Sequence, residues 1–342
     1  MTTATILDPP SKPRSPWQKL YGAAHAARRK WYLKRAARLP RTVISVGNLH
    51  WGGTGKTPLV SAIARHLSAA DRHVTILSRG YKRRGRNIRI VSTGDGPLLG
   101  PRVAGDEPVL LAGELPGVSV VVGPDRYQAG LHAMERLPRQ PDVFLLEDGF
   151  SHLRLFRDLD LLTFPASDPF GGGKLFPSGS LREPLTSSRW ADAAVLTASE
   201  TASGSALAAC LEPFGFRGRG FSAHAVVGEA VIGRGEPLPA SARVLVVTGI
   251  ARPERVHASL GILPYEVAGS IAFPDHHDYP SASLNEISQR LHADRADWVL
   301  TTAKDHVKLL GRLQAPLAML PLRAEPEPAL WEWLDNHIER LD

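Results

Sequence analysis

Short apolar runs alternate with stretches of helical period along most of the chain. Val43-Ile44-Ser45-Val46, His73-Val74-Thr75-Ile76-Leu77, Val118-Ser119-Val120-Val121-Val122, Val143-Phe144-Leu145-Leu146, Asp160-Leu161-Leu162-Thr163-Phe164 and Ala193-Ala194-Val195-Leu196-Thr197 read as buried strands. Between the first two, Leu59, Val60, Ile63, Ala64 and Leu67 recur at helical spacing. Gly105-Asp106-Glu107-Pro108 opens another helix, with Val109, Leu110 and Leu111 behind it. The alternation fades over residues 204–242, where Phe221 to Ile232 reads as a hairpin turning at Gly228-Glu229. It resumes at Arg243–Ile250, Trp298–Thr302 and Leu317–Leu320, and closes with a helix from Pro328 that turns Leu330, Trp333, Leu334 and Ile338 inward. Strands alternating with helices imply an α/β fold of two α/β/α domains with mostly parallel sheets. The expected division is a tail and helix over 1–38, a P-loop NTPase-like domain over 39–215, a β-ribbon linker over 216–236, and a smaller α/β domain over 237–342.

The N-terminal pattern is different. Residues 1–14 are Pro-rich and predict disorder, and Ser15-Pro16 reads as a helix start. Trp17, Leu20, Tyr21, Ala24, Ala27 and Trp31 then share one face, with Lys19, Arg28, Arg29, Lys30, Lys34, Arg35 and Arg38 around it. Residues 1–70 carry 12 Lys/Arg and a single acid, Asp8, in a chain whose overall net charge is +7. The high isoelectric point therefore belongs to this segment, which should face something anionic. A basic helix edged with Trp and Tyr suits an anionic bilayer surface, and equally a helix packed on the body with a solvated basic face. No nucleic-acid-binding motif accompanies the charge, so no nucleic-acid partner is expected.

Composition narrows the class. The chain has 342 residues, 43% hydrophobic and 22% charged, ordinary for a soluble globular protein with room for two cores. The single cysteine, Cys210, excludes a disulfide framework and fits a reducing compartment. No apolar run reaches the roughly 18 residues of a spanning helix, and no signal peptide is expected.

The chemistry begins at Val46-Gly47-Asn48-Leu49-His50-Trp51-Gly52-Gly53-Thr54-Gly55-Lys56-Thr57-Pro58. This reads as strand, glycine loop, helix. Gly52, Gly53, Thr54 and Gly55 let backbone N–H groups converge on a phosphate. Lys56 supplies a point charge, Thr57 a hydroxyl for Mg²⁺, and the following helix its positive end. ATP with Mg²⁺ is the expected cofactor. His50 stands where the full P-loop pattern has glycine. Trp51 stands where dimeric switch ATPases place a signature lysine, which counts against that class.

Other strand ends add candidates, because loops at carboxyl ends line the crevice of α/β sheets. Glu147-Asp148 ends a hydrophobic strand as a Walker-B acid does and pairs with Lys56-Thr57 as a metal site. Ser78-Arg79-Gly80-Tyr81-Lys82 ends another, its Arg79 either a phosphate or substrate contact or part of a solvated loop. Asp106 sits at a helix start, where acids commonly cap. A long Gly/Pro-rich loop runs from Phe170 through Leu181-Arg182-Glu183-Pro184. Asp275-His276-His277-Asp278 lacks a third metal-ligand motif, so a base relay or phosphate contact outranks zinc. Ala303-Lys304-Asp305-His306 follows a further strand and either reaches a nucleotide or caps a helix.

Taken in order, the glycine loop, Ser78-Arg79-Gly80-Tyr81, Gly105-Asp106-Glu107-Pro108, Glu147-Asp148-Gly149-Phe150-Ser151-His152, Leu181-Arg182-Glu183-Pro184, Asp275-His276-His277 and Lys304-Asp305 resemble the tetraacyldisaccharide 4'-kinase family of lipid A biosynthesis. The resemblance spans about Trp17 to Lys308. It implies transfer of the ATP γ-phosphoryl group to the 4'-hydroxyl of a lipid-linked disaccharide 1-phosphate. It also implies a monotopic enzyme at an anionic membrane surface, the cytoplasmic face of the bacterial inner membrane, with its site between two α/β domains; a monomer is expected.

By the same resemblance, Lys56 and Asp148 are catalytic, Thr57, Asp148 and Glu147 serve the metal, Asp106 is the base and His276 orients it. Arg79, His152, Arg126 and Arg182 face the substrate or phosphates. Two positions depart from the family pattern: Glu147 replaces an aspartate and Ser151 a glutamine. The longer Glu147 arm puts direct metal ligation by that residue in question. The competing reading from another class is a nucleotide-switched, membrane- or protein-binding P-loop ATPase.

Overall fold

The computed structural model describes residues 7, 16–233, 235–250, 253–261 and 263–341. Apart from Leu7, residues 1–14, expected to be disordered, and the Ser15 cap lie outside the described residues. Helix α1 (Pro16–Leu33) precedes β1 (Thr42–Asn48), α2 (Lys56–Ala69), β2 (Val74–Ser78), β3 (Arg89–Thr93), α3 (Pro101–Ala104), α4 (Asp106–Glu114), β4 (Ser119–Val122), α5 (Arg126–Arg136), β5 (Val143–Glu147), β6 (Leu159–Pro165), β7 (Ala193–Thr197), α6 (Gly204–Leu211) and β8 (Arg219–Val227). Then come β9 (Val231–Ile232), β10 (Glu236–Pro237), β11 (Arg243–Thr248), α7 (Glu254–Leu260), β12 (Glu266–Ala272), α8 (Ser281–Ala293), β13 (Trp298–Thr302), α9 (Ala303–Leu309), β14 (Leu317–Leu320), β15 (Leu322–Pro326) and α10 (Pro328–Ile338).

Among the described residues these strands form two mostly parallel sheets. The larger has the order β15-β8-β7-β6-β1-β5-β2-β4-β3, the smaller β10-β9-β14-β13-β11-β12. β1, β2, β4, β5, β6 and β7 are buried along their whole length. A strand covered on both faces gains from being apolar throughout, which is why each reads as a continuous run. One face packs on α2, α4 and α10 through Leu59, Ile63, Leu111 and Leu334. The other face meets α5 through Ala129 and Ala133, and α6 through Leu207 and Leu211. The smaller sheet is likewise covered on both sides, by Leu260 of α7 and by Ile287 and Leu291 of α8.

The junction differs from its sequence reading. The expected hairpin over Phe221–Ile232 does not form: β8 runs parallel to β7 and antiparallel to β15, while β9 pairs with β10 and β14. The chain therefore crosses between the sheets twice, outward after β8 and back through β15. The return also carries α10 onto the larger sheet, so the final residues of the expected 237–342 unit pack with the first sheet. Leu330, Trp333, Leu334 and Ile338 reach a deeper core there than the small sheet offers.

Helix α1 also differs from a simple apolar-in arrangement. Trp17, Leu20 and Trp31 are 68%, 64% and 51% exposed, while Arg29 is fully buried. At 3.6 residues per turn, Arg29 lies roughly opposite those three.

Candidate active site

β1 and β5 are neighbours in register, Val46 opposite Glu147, so the loops leaving both strands open at one end of the sheet. The loop after β1 is held from below. Asn48 Nδ2 donates to Thr54 Oγ1 at 2.8 Å, Thr54 Oγ1 shares a hydrogen with Thr163 Oγ1 at 2.8 Å, and Thr197 Oγ1 donates to the Thr54 carbonyl at 2.8 Å. Gly55 caps α2 in the left-handed region (φ 75°), and a Cβ there would meet Thr197 at 3.0 Å. Only glycine takes that conformation so close to β7 without strain. Gly52 and Gly53 stand open to solvent, and Thr57 is half-buried in the first turn of α2.

Beyond the loop, Lys56 Nζ lies 3.8 Å from Asp148 Oδ1, and Arg182 grips the same carboxylate with two guanidinium nitrogens. Burial alone would raise the Asp148 pKa, but Lys56 and Arg182 outweigh it and hold the group below its ordinary value. Asp148 has φ 52°, an uncommon conformation for a residue with a side chain, as is found where a site fixes the backbone. Glu147 lies deeper. Its Oε2 accepts from Ser78 Oγ at 2.8 Å, and its Oε1 is buried without a partner. Burial, then the charges of Glu107 and Asp148, push its pKa up.

A cavity of about 300 Å³ opens beside Asp148, lined by Arg28, Arg79, Arg126, Arg154, Arg182 and His152 among others. His152 Nε2 accepts from the Arg126 backbone N–H at 3.3 Å; burial and the Arg126 charge bring its pKa down to about 4, so the ring is neutral at pH 7. Arg126 is 4% exposed, whereas Arg79 is an exposed residue.

The third part bridges the two sheets. Gly105 (φ 95°) turns the chain into α4 with its Cα side pressed on Gly80, where a Cβ would come within 3.0 Å. This close packing sets Asp106 beside the β2 loop. Asp106 Oδ2 meets His276 Nδ1 at 3.1 Å and Lys308 Nζ at 3.5 Å, while Lys304 Nζ reaches His276 Nε2 at 3.2 Å and Glu107 at 3.6 Å. An ammonium can only donate, so Nε2 accepts and Nδ1 carries the hydrogen bonded to Asp106. Burial opposes ionisation of Asp106; the His276 bond, Lys308 and Lys304 overcome it, bringing its pKa down to about 2. His277 points away, stacked 4.6 Å from Phe273 with Nε2 2.8 Å from Ser283 Oγ. Among the described residues no cluster of His, Cys, Asp and Glu forms a metal cage of its own.

The structure thus gathers Lys56, Asp148 and Arg182 directly, sets Arg79, Arg126 and His152 around one adjoining cavity, and joins Asp106 to His276 across the sheets. Sequence reading missed Ser78, Glu107 and Lys308. Lys308 was discoverable, since it lies one helical turn beyond Lys304.

A glycine loop with Lys-Thr at the end of one parallel strand, and a carboxylate at the end of its neighbour, is the arrangement of a nucleotide-dependent phosphotransferase. Comparisons with known proteins make this specific. The family described as Tetraacyldisaccharide-1-P 4'-kinase matches residues 14–339. A tetraacyldisaccharide 4'-kinase of Pelobacter propionicus is 40% identical over 307 residues, 86% of this chain and 82% of that protein. One of Geobacter sulfurreducens is 39% identical over 320 residues, 90% and 87%. The crystal structure of LpxK from Aquifex aeolicus in complex with ATP superposes with a TM-score of 0.75 at 34% identity, covering 95% of this chain and 97% of that one. The chain belongs to the tetraacyldisaccharide 4'-kinase family. Membership favours a kinase over the switch ATPase reading.

Proposed function

We propose that this chain transfers the γ-phosphoryl group of ATP to the 4'-hydroxyl of a tetraacyldisaccharide 1-phosphate, working with Mg²⁺ at a membrane surface. The observation that carries the proposal is the Lys56–Asp148–Arg182 cluster where β1 and β5 end side by side. Lys56 and the amides of Gly52–Gly55 hold the β- and γ-phosphates. The ligands offered to an ion are oxygens: Thr57, Asp148 and the orphaned Glu147 Oε1, which suit Mg²⁺ with waters and phosphate oxygens completing its shell. When bound, the ion neutralises charge on the β- and γ-oxygens.

In transfer, a bond forms from the sugar oxygen to the γ-phosphorus, the bond to the β-phosphate bridge oxygen breaks, and ADP leaves. The hydroxyl proton passes to Asp106, whose other interactions with His276 and Lys308 keep it ionised and aimed. With a pKa of about 2, Asp106 is a weak base and a strong orienter. That suits a loose transition state in which the hydroxyl gives up its proton late. The arginines around the cavity suit the phosphate of the acceptor, through paired N–H donors.

Arg28 and Tyr32 of α1 line the same cavity, so the surface helix borders the place where a lipid acceptor would enter. Among the described residues no helix is long and apolar enough to cross a membrane. These features support peripheral attachment through α1, on the cytoplasmic face where ATP is found.

The test is incubation of the purified full chain with γ-labelled ATP and the tetraacylated disaccharide 1-phosphate in detergent micelles. Label should move to the lipid at the 4' position. Absence of labelled lipid from folded, ATP-binding protein overturns the proposal.

A further inference from the structure

Arg29 is the bulkiest of the fully buried side chains, and it comes from a surface helix. Its guanidinium lies 3.8 Å from the centroid of the Phe150 ring and 5.2 Å from that of Trp190. It has one carboxylate, Glu183, whose Oε2 is 3.4 Å from Nη1, while Nε and Nη2 have no partner. A buried charge is a costly way to attach a helix, since a well-packed apolar residue of similar volume does that better. Where this charge sits suggests what it is for. Phe150 follows Asp148 by two positions, and Glu183 directly follows Arg182. Ser151 Oγ donates to Glu183 Oε1, and the backbone amides of Arg182 and Glu183 both donate to the Leu49 carbonyl just ahead of the glycine loop. The loops carrying Asp148 and Arg182 therefore meet on Arg29, which does not itself line the cavity. His25, one turn earlier on α1, approaches the same Glu183 at 3.5 Å.

We propose that Arg29 is a positioning residue for phosphoryl transfer. It clamps residues 148–152 and 181–184 from behind, by stacking on Phe150 and pairing with Glu183, and so sets the angle at which Arg182 meets Asp148. α1 is then part of the catalytic scaffold as well as a surface element. The inference rests on the reading of Asp148 and Arg182 as site groups, so its test includes a readout that does not depend on activity. A planar guanidinium can stack and pair at once, which an ammonium cannot do in the same way.

The experiment compares full-length Arg29→Met and Arg29→Lys with the wild type. Circular dichroism checks the fold, and vesicle flotation checks surface attachment. Steady-state kinetics separate kcat from KM, and amide hydrogen exchange is followed without nucleotide or metal. For Arg29→Met the expected result is kcat lowered on the order of 10–100-fold, the loss that misplaced reacting groups produce, with the KM for ATP within about twofold. Exchange should quicken in 147–152 and 181–184 and stay unchanged in 243–248 and 298–302. Arg29→Lys should recover only part of kcat. Wild-type kcat in Arg29→Met overturns the proposal. The exchange data then say which part failed: unchanged exchange means no clamp, and faster exchange confined to the two loops means that Asp148 and Arg182 are not site groups. Uniformly faster exchange, or a kcat loss that follows vesicle attachment, also overturns it. If Arg29→Met does not fold, Phe150→Leu removes only the stacked ring and is read in the same assays.

Discussion

His276 Nδ1 lies 3.1 Å from Asp106 Oδ2, although 170 positions separate the two residues and they belong to different sheets. Asp106 opens α4 on the larger sheet, and His276 follows β12 of the smaller. The pair exists only while the two bodies are closed on one another, which ties the geometry of the proposed base to their apposition. Asp106→Asn keeps the shape and loses the proton acceptor. It should lower kcat by about 10²–10⁴-fold, the usual range for general acid–base groups, with KM for ATP unchanged. His276→Ala leaves the acceptor but frees it to rotate, so its loss should be smaller. Steady-state kinetics on both variants, with ATP binding measured separately, checks the order. A collapse of ATP affinity in Asp106→Asn would remove Asp106 from the base role.

The depressed pKa of Asp106 has a consequence for pH. A carboxylate lowered to about 2 in the folded chain, from about 3.9 when unfolded, binds fewer protons folded than unfolded between those values. Its contribution to stability is therefore fully present above about pH 5 and is lost as pH falls through 2, to a total of roughly 2–3 kcal/mol. Denaturant titrations at pH 5 and near pH 2.5 should show that loss in the wild type and not in Asp106→Asn. Asp106 also remains ionised through the whole neutral range, so any acid limb in activity above about pH 4 must belong to another group.

Lys308 bridges Asp106 at 3.5 Å and the wholly buried Asp305 at 3.2 Å. Asp305 in turn accepts from the Gly249 amide and Thr302 Oγ1, so the lysine ties the smaller sheet to the proposed base. Lys308→Met should cost about 3 kcal/mol of stability, because removing one partner of a buried pair leaves the other uncompensated. It should also raise the pKa of Asp106. Chemical denaturation gives the first quantity. Carboxyl-carbon NMR titration of Asp106 gives the second, and an unmoved titration would show that His276 and Lys304 set that group without Lys308.

The sequence made the larger sheet legible for one reason. β1, β5 and β6 are covered on both faces, so burial leaves no polar alternation to confuse with a helix. Lys56, Thr57 and Asp148 stood out as candidates because the P-loop pattern constrains residue type and spacing together, and the structure brings Lys56 to 3.8 Å from Asp148. The hairpin reading failed because pairing is a tertiary choice. Val226 and Val231 are both apolar and a turn lies between them, but β8 finds β7 and β15, and β9 finds β14. β15 itself, Leu322-Arg323-Ala324-Glu325-Pro326, is too polar to announce a strand and holds its place at the sheet edge through β8. His276 and His277 could not be told apart because a positive φ at His276 (61°), invisible in the sequence, sends their rings to opposite sides. Nor does sequence distinguish Arg29 from its neighbours Arg28 and Lys30; only the docking of α1 picks it out.

The outward face of α1 gives the last prediction. Trp17, Leu20 and Trp31 fall on one side of the helix and stay largely in water, although each could be covered by a different docking of α1. The opposite side is committed to the protein through Arg29, so the helix cannot roll to hide them without breaking that contact. Among the described residues nothing covers them, and an anionic phospholipid surface would. Moving a large apolar side chain fully out of water contributes about 1.5–3 kcal/mol. The triple variant Trp17→Ser, Leu20→Ser, Trp31→Ser should therefore bind vesicles of anionic phospholipid at least 100-fold more weakly. kcat in detergent micelles should hold within about twofold, because none of the three lines the cavity beside Asp148. Flotation and the labelled-ATP assay read the two quantities separately. Equal vesicle binding by wild type and variant would show that the exposed face of α1 does not meet lipid, and that attachment relies on its basic flank alone.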